Sequence, residues 1–170
     1  MVVVEGAGFL LNNEMDDFSI KPGVPNMYGL VGNEANAIEP GKRMLSSMTP
    51  TVVLDGGRPF LVLGSPGGGR IITTVAQIVM NVIDFDMSIA EAVDAPRFHH
   101  QWMPDAIYLE SKACRRELMD ALAERGHRCI PISGVMGEAQ VIGSSDSLAC
   151  GVADGRGSGR AAAERMPVRQ

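Results

Sequence analysis

The spacing of apolar positions changes several times along the chain, and each change predicts an element. In residues 51–64, two aliphatic and β-branched runs flank Asp55-Gly56-Gly57. Such a pair of runs around a Gly-rich turn predicts a β-hairpin, because the tight turns that match strand twist need positive φ. Both runs are nearly all apolar instead of alternating, which predicts a covered sheet. After Gly64-Ser65-Pro66-Gly67-Gly68-Gly69, apolar residues return at Ile71, Val75, Ile78, Val79 and Val82. That is helical spacing, apolar enough to be mostly buried. A glycine loop therefore leads from a strand into the N-terminus of a buried helix. Ser88 and Glu91 have the capping-box form and predict a short helix to Ala95, ended by Pro96. Ile107–Glu110 reads as a strand. Residues 113–125 read as an amphipathic helix with Leu118, Met119 and Leu122 facing inward and Gly126 as its C-terminal cap. His127–Ile132, Ala139–Gly143 and Leu148–Val152 read as short strands. The mixture predicts an α+β fold, an antiparallel sheet covered by helices, over residues 1–154. Residues 1–50 show little periodicity and are expected to be largely ordered loop. The Gly, Ala and Arg-rich tail of residues 155–170 lacks an apolar pattern and is expected to fray.

Composition narrows the classes. The chain has 170 residues, is 45% apolar and 21% charged, and carries a formal charge of −5. These values fit a globular chain with a sizeable core and do not fit a disordered one. The acidic balance argues against a nucleic-acid surface. No apolar run approaches the roughly 18 residues of a membrane span. The three cysteines, Cys114, Cys129 and Cys150, have neither zinc-site spacing nor the even count of a full disulfide framework. One Cys129–Cys150 pair remains open beside the reading of three separate thiols.

Four stretches carry candidate chemistry. The glycine loop offers backbone N–H groups with no side chains in the way, a device for an anion or a developing oxyanion. It matches neither a P-loop nor a dinucleotide fingerprint, and a plain strand-to-helix turn is the alternative. In Asn12-Asn13-Glu14-Met15-Asp16-Asp17, three carboxylates crowd six residues. The run lacks the alternation and sixth-position glycine of a calcium loop. A substrate ammonium suits it better, against the alternative of a solvated acidic turn. Ser46 and Ser47, between apolar neighbours, can donate to a carboxylate or be satisfied by local backbone. No nucleophile elbow surrounds them. His99 and His100 are adjacent, and His127 is the only other histidine. A structural role, holding a loop, is expected instead of a metal site.

Taken in order, LNNEMDDFS, KPGVPNMYGLVG, PGKRMLSSMTPT, GSPGGGRIITTV and EAVDAPRFHHQW resemble the small subunit of the γ-glutamyltranspeptidase (glutathione hydrolase) family. The resemblance runs from about Gly6 to about Val152. It implies an N-terminal-nucleophile (Ntn) hydrolase, an αββα sandwich, here partial and lacking N-terminal strands. It implies γ-glutamyl transfer from, or hydrolysis of, glutathione and related compounds through an acyl-enzyme, with no cofactor. By the same resemblance, Glu14 and Asp17 bind the substrate α-ammonium and Ser46 and Ser47 its α-carboxylate. Gly67 and Gly68 supply the oxyanion-hole N–H groups. A zwitterion clamp suits such a substrate, since an unpaired buried charge is costly.

One departure stands out. The family nucleophile is a threonine a few dozen residues before the acidic motif, whereas 13 residues precede Glu14 here. Thr49, Thr51, Thr73 and Thr74 are internal and lack the free α-amine that serves as base. The nucleophile is therefore expected from a missing upstream segment, with this chain alone inactive. The expected partners are a γ-glutamyl small molecule and either a large subunit or a second copy meeting an exposed sheet edge. The apolar run Val2–Val4 and Phe9–Leu11 would normally lie beside the missing strands. Family members suggest a periplasmic or extracellular location. The alternatives are an acylase of cephalosporin or poly-γ-glutamate type, or an inactive binding module or remnant.

Overall fold

The chain is described by a computed structural model that covers residues 3–9, 11–144 and 149–162. It divides into two compact units, residues 1–47 and 48–170, where the sequence pattern predicts a single domain over 1–154.

The first unit has almost no regular structure, as its lack of periodicity predicts. Its ordered pieces are two 3₁₀ turns, Glu14–Asp17 and Glu34–Asn36. Single bridges join Ser19 to Ala37 and Pro25 to Val31. Asparagine side chains supply much of the remaining order. Asn26 Oδ1 accepts from the N–H groups of Tyr28 (3.0 Å) and Leu30 (3.0 Å), while its Nδ2 donates to the Asp16 carbonyl (3.2 Å). Asn33 caps the second turn by accepting from Ala35 N–H. Short amides can replace backbone partners in this way, which is why such residues favour loops. Val3, Phe9 and Leu11 are exposed.

The second unit opens with the expected hairpin, β1 (Thr51–Asp55) and β2 (Arg58–Gly64). Its turn is Gly56-Gly57, with φ of 54° and 81°, the left-handed pair that a type I′ turn requires. Helix α1 (Arg70–Ile83) and the capping-boxed α2 (Ile89–Asp94) follow. Then come β3 (Phe98–His100), β4 (Ile107–Glu110), α3 (Arg116–Glu124), β5 (Cys129–Ile132), β6 (Gln140–Ser144) and β7 (Ala149–Ala153). Leu148, the expected first residue of the last strand, lies outside the described residues. At the end of α3, His127 N–H bonds to Leu122 O and Gly126 N–H to Ala123 O, the two bonds of a glycine C-cap.

There are two sheets where one antiparallel sheet is expected. One runs β1-β2-β6-β7, antiparallel throughout; the other runs β3-β4-β5, with β4 and β5 parallel. Parallel neighbours need a long crossover, and α3 supplies it. The core lies between one face of the four-stranded sheet and two helices. Leu61, Leu63 and Val141 pack with Ile71, Val75 and Ile78 of α1 and with Ala92 and Val93 of α2.

The other face of that sheet differs from the expectation of a covered sheet. Val52, Val62 and Ile142, direct register partners across three strands, form an exposed apolar row, with Leu54 also exposed. The apolar runs read as two-sided burial, but in this chain only the helix-facing residues are buried.

A second interior is ionic. Arg97 Nη2 lies 2.7 Å from Asp154 Oδ2, with side chains 2% and 0% exposed. Arg156 pairs with Glu110 at 2.6 Å and with Asp154 at 3.1 Å. The network balances two cations against two anions, the arrangement that burial of charge demands. It also fastens Arg156 within the segment where the sequence pattern predicts fraying. The rest of the expected tail, residues 163–170, lies outside the described residues. The three cysteines are free thiols.

Candidate active site

The acidic motif folds as a single 3₁₀ turn that begins at Glu14 and ends at Asp17. Both carboxylate residues are half-buried. Glu14 N–H is held by Asn12 Oδ1 at 3.1 Å. Asn13 Nδ2 donates to the Tyr28 hydroxyl at 3.3 Å, which brings the following loop to the turn. Ser46 is exposed and Ser47 half-buried. One side chain links the two motifs: Asn36 Nδ2 donates to the Asp17 carbonyl (2.7 Å), while Asn36 Oδ1 accepts from Leu45 N–H (2.9 Å). Asn36 thus ties the acidic turn to the residue just before the serine pair. The only sequence signal for Asn36 is its place in a Pro- and Gly-punctuated loop, which suits an asparagine that organises backbone.

The glycine loop belongs to the second unit. Gly67 and Gly68 adopt φ of 140° and 56°, conformations that L side chains rarely take. Their carbonyls accept from Arg70 and Ile71 N–H at 3.1 Å each, starting α1. Among the described residues, no acceptor meets the N–H of either glycine. Two adjacent, unengaged amides at a helix start have the chemistry of an anion or oxyanion cradle.

A neighbouring loop, Met136–Ala139, presses against this turn. Gly137 has φ of 70°, and a Cβ there would run into Ser65 Oγ and come within 3.2 Å of the Pro66 carbonyl. Glu138 N–H donates to Ser65 Oγ at 3.0 Å. The loop is anchored on the ionic network. Met136 O accepts from Arg97 (2.6 Å), Met136 N–H donates to Glu110 (2.9 Å) and Ala139 N–H donates to Asp154 (2.8 Å).

The network holds its ionised form firmly. Burial raises the Asp154 carboxyl, but hydrogen bonds from Ala139, Arg156 and Arg97 outweigh it and leave Asp154 below its ordinary value. Burial likewise raises Glu110, and the Arg156 guanidinium with backbone N–H donors brings it below the usual carboxylate range. Arg156 is raised, first by its bond to Glu110. Burial lowers Arg97, which remains charged because a guanidinium does not deprotonate in proteins.

The adjacent histidines alternate across β3, as strand geometry requires. His99 is buried, with Nδ1 at 2.8 Å from Thr73 Oγ1 and Nε2 at 3.1 Å from Gln101 Oε1. Burial lowers its pKa, so it is neutral near pH 7. His100 is exposed and meets Asp105 at 3.0 Å. Both rings hold the loop after β3. Among the described residues no three His, Cys, Asp or Glu side chains gather as metal ligands. None of their helices is long and apolar enough to cross a membrane.

The α+β arrangement is that of solved γ-glutamyltranspeptidases, which places the chain in the Ntn-hydrolase class. The chain matches the Gamma-glutamyltranspeptidase profile over residues 1–164 and belongs to that family. It is 53% identical over 141 residues to the glutathione hydrolase proenzyme of Escherichia coli K12, covering 83% of this chain and 24% of that protein. It is also similar to the Helicobacter pylori γ-glutamyltranspeptidase T380A mutant, with TM-score 0.86 and 52% identity, over 92% of this chain and 86% of that one. A third likeness is to the Pseudomonas nitroreducens γ-glutamyltranspeptidase complexed with L-DON. There the TM-score is 0.88 and the identity 48%, over 96% of this chain and 86% of that one. The chain spans about a quarter of the length of the bacterial glutathione hydrolase proenzymes it matches.

Proposed function

We propose that these residues form the small-subunit part of a γ-glutamyltransferase and glutathione hydrolase. Glu14 and Asp17 take the substrate α-ammonium, and Ser46 and Ser47 take the α-carboxylate. Gly67 and Gly68 N–H receive the oxygen of the scissile γ-carbonyl. The nucleophile is a threonine outside these 170 residues, whose hydroxyl attacks that carbonyl. Its proton passes to the leaving amine, and an acyl-enzyme forms. Water or an acceptor amine then releases the γ-glutamyl group. A large subunit is the partner chain that completes the enzyme.

The observation that carries this reading is family membership over residues 1–164. The unengaged amides of Gly67 and Gly68 support the oxyanion role. The acylase alternative is not favoured, because relatives at 48–53% identity bear the names glutathione hydrolase and γ-glutamyltranspeptidase.

The test is turnover of a γ-glutamyl anilide by the complete enzyme and its Asp17→Asn variant. Loss of a charge-assisted bond to the ammonium is expected to raise KM about 10- to 100-fold. An unchanged KM in the variant would remove Asp17 from the clamp, and no turnover by the parent enzyme would overturn the function itself.

A further inference from the structure

The glycine loop contains one hydroxyl that the roles above leave unused. Ser65 Oγ donates to the Pro66 carbonyl at 2.8 Å and accepts from Glu138 N–H at 3.0 Å. The Pro66 carbonyl and the Gly67 N–H are two ends of one planar peptide unit, and in a trans peptide they point in opposite directions. Whatever holds the carbonyl therefore aims the N–H. Gly67, at φ of 140°, has no side chain to restrict that peptide, so a flip is opposed by little else in its own residue.

We propose that Ser65 is a positioning residue that locks the Pro66–Gly67 peptide with the Gly67 N–H turned to the reacting carbonyl. The inference rests on the oxyanion role proposed for Gly67. Ser65 acts through the peptide and does not touch substrate. Its own place is set from behind. The N–H of Glu138 fixes the hydroxyl rotor, and Gly137 lets the loop approach to van der Waals distance. The Arg97–Glu110–Asp154 charges hold Met136 and Ala139 on either side. The oxyanion donor is thereby coupled to the buried ionic network of the second unit.

This arrangement predicts an effect on the transition state and not on ground-state binding. Removing one oxyanion donor outright typically costs about 10²- to 10³-fold in kcat. Ser65→Ala leaves the donor present but free to flip, so kcat of the complete enzyme on a γ-glutamyl anilide is expected to fall about 10- to 100-fold. KM should stay within about threefold, since the α-amino acid end is held elsewhere. A γ-boronate analogue, whose tetrahedral centre presents an oxygen to the same donors, should lose affinity in parallel with kcat. Glutamate, whose γ-carboxylate carbon is planar, should bind Ser65→Ala as it binds the parent.

Ser65→Thr keeps the hydroxyl and should restore kcat to within about threefold of the parent. Ser65→Cys, with a weaker donor and acceptor, should show the same split at smaller amplitude and serves if Ser65→Ala does not fold. Unchanged kcat in a folded Ser65→Ala would overturn the proposal. So would a rise in KM at constant kcat, or equal losses for boronate and glutamate. If the parent enzyme itself fails to turn over the anilide, the functional reading falls, and that failure is distinct from any result on Ser65.

Discussion

Removing the Asp154 carboxylate should be the most destabilising single truncation of a charged group in the second unit. Four bonds converge on it: Arg97 Nη2 at 2.7 Å, Arg156 Nη1 at 3.1 Å, Ala139 N–H at 2.8 Å and Arg156 N–H at 3.0 Å. In Asp154→Ala, Arg97 keeps its bonds to the Met136 and Val93 carbonyls but loses its ion-pair partner while 2% exposed. A network of two cations and two anions becomes one with a net positive charge. Surface bookkeeping would assign this change little, because almost no apolar area is lost. The uncompensated buried charge sets the size instead, about 3–5 kcal/mol. Urea unfolding followed by far-UV circular dichroism measures it. Asp154→Asn, which retains an acceptor, should lose less. Replacing Arg97 by Met together with Asp154 by Leu should recover much of the stability, since apolar substitutes of similar volume often match a buried pair. A loss below about 1 kcal/mol for Asp154→Ala would refute the reasoning, because that is the scale of an exposed pair.

Other outcomes follow from the same geometry. Glu110 and Asp154 titrate below their ordinary values, so their stabilisation is fully present above about pH 5 and is lost as pH falls from there through the lowered folded values; acid titration of unfolding free energy checks this. His99 is held neutral by burial, so the unfolded chain takes up its proton first as pH falls below about 6.5. Stability should decline from there toward the lowered folded value, and His99→Gln should remove that part of the pH dependence. Ser88→Ala breaks the capping box of α2 and should cost about 1 kcal/mol by urea denaturation. Asn36→Ala removes the two bonds joining the acidic turn to the serine segment and should raise KM about tenfold, with kcat changed less, in steady-state kinetics.

Signals in the sequence are legible where the physics is local. The Gly56-Gly57 turn, the Ser88–Glu91 box and the Gly126 cap each depend on a few adjacent residues, and each forms in the structure. Features that depend on distant partners carry no such local signal. Nothing near Ile107 says that β4 will lie parallel to β5, because that follows from where α3 packs. Thr74 and Gln77 break the apolar stripe of α1 yet are buried. Gln77 bonds both the N–H and the carbonyl of Phe98, acting as an extra edge to β3. Arg156 sits in a Gly-rich stretch that looks like tail, and only the carboxylates of Glu110 and Asp154 reveal its role. The candidate site divides in the same way. Glu14, Asp17, the serine pair and the glycines stand out as chemistry in one dimension. Asn36 and Ser65 matter only through the bonds that the fold brings to them.

The central claim is a clamp for a whole α-amino acid end, and a pair of substrates tests it most directly. The complete enzyme should be given a γ-glutamyl anilide and the matching glutaryl anilide, which lacks only the α-amino group. A site with carboxylates committed to an ammonium is expected to prefer the γ-glutamyl compound by about 10⁴-fold in kcat/KM, because the deaminated analogue leaves them unpaired. Equal rates, or a preference for the glutaryl compound, would contradict the account and point to an acylase indifferent to the amino group.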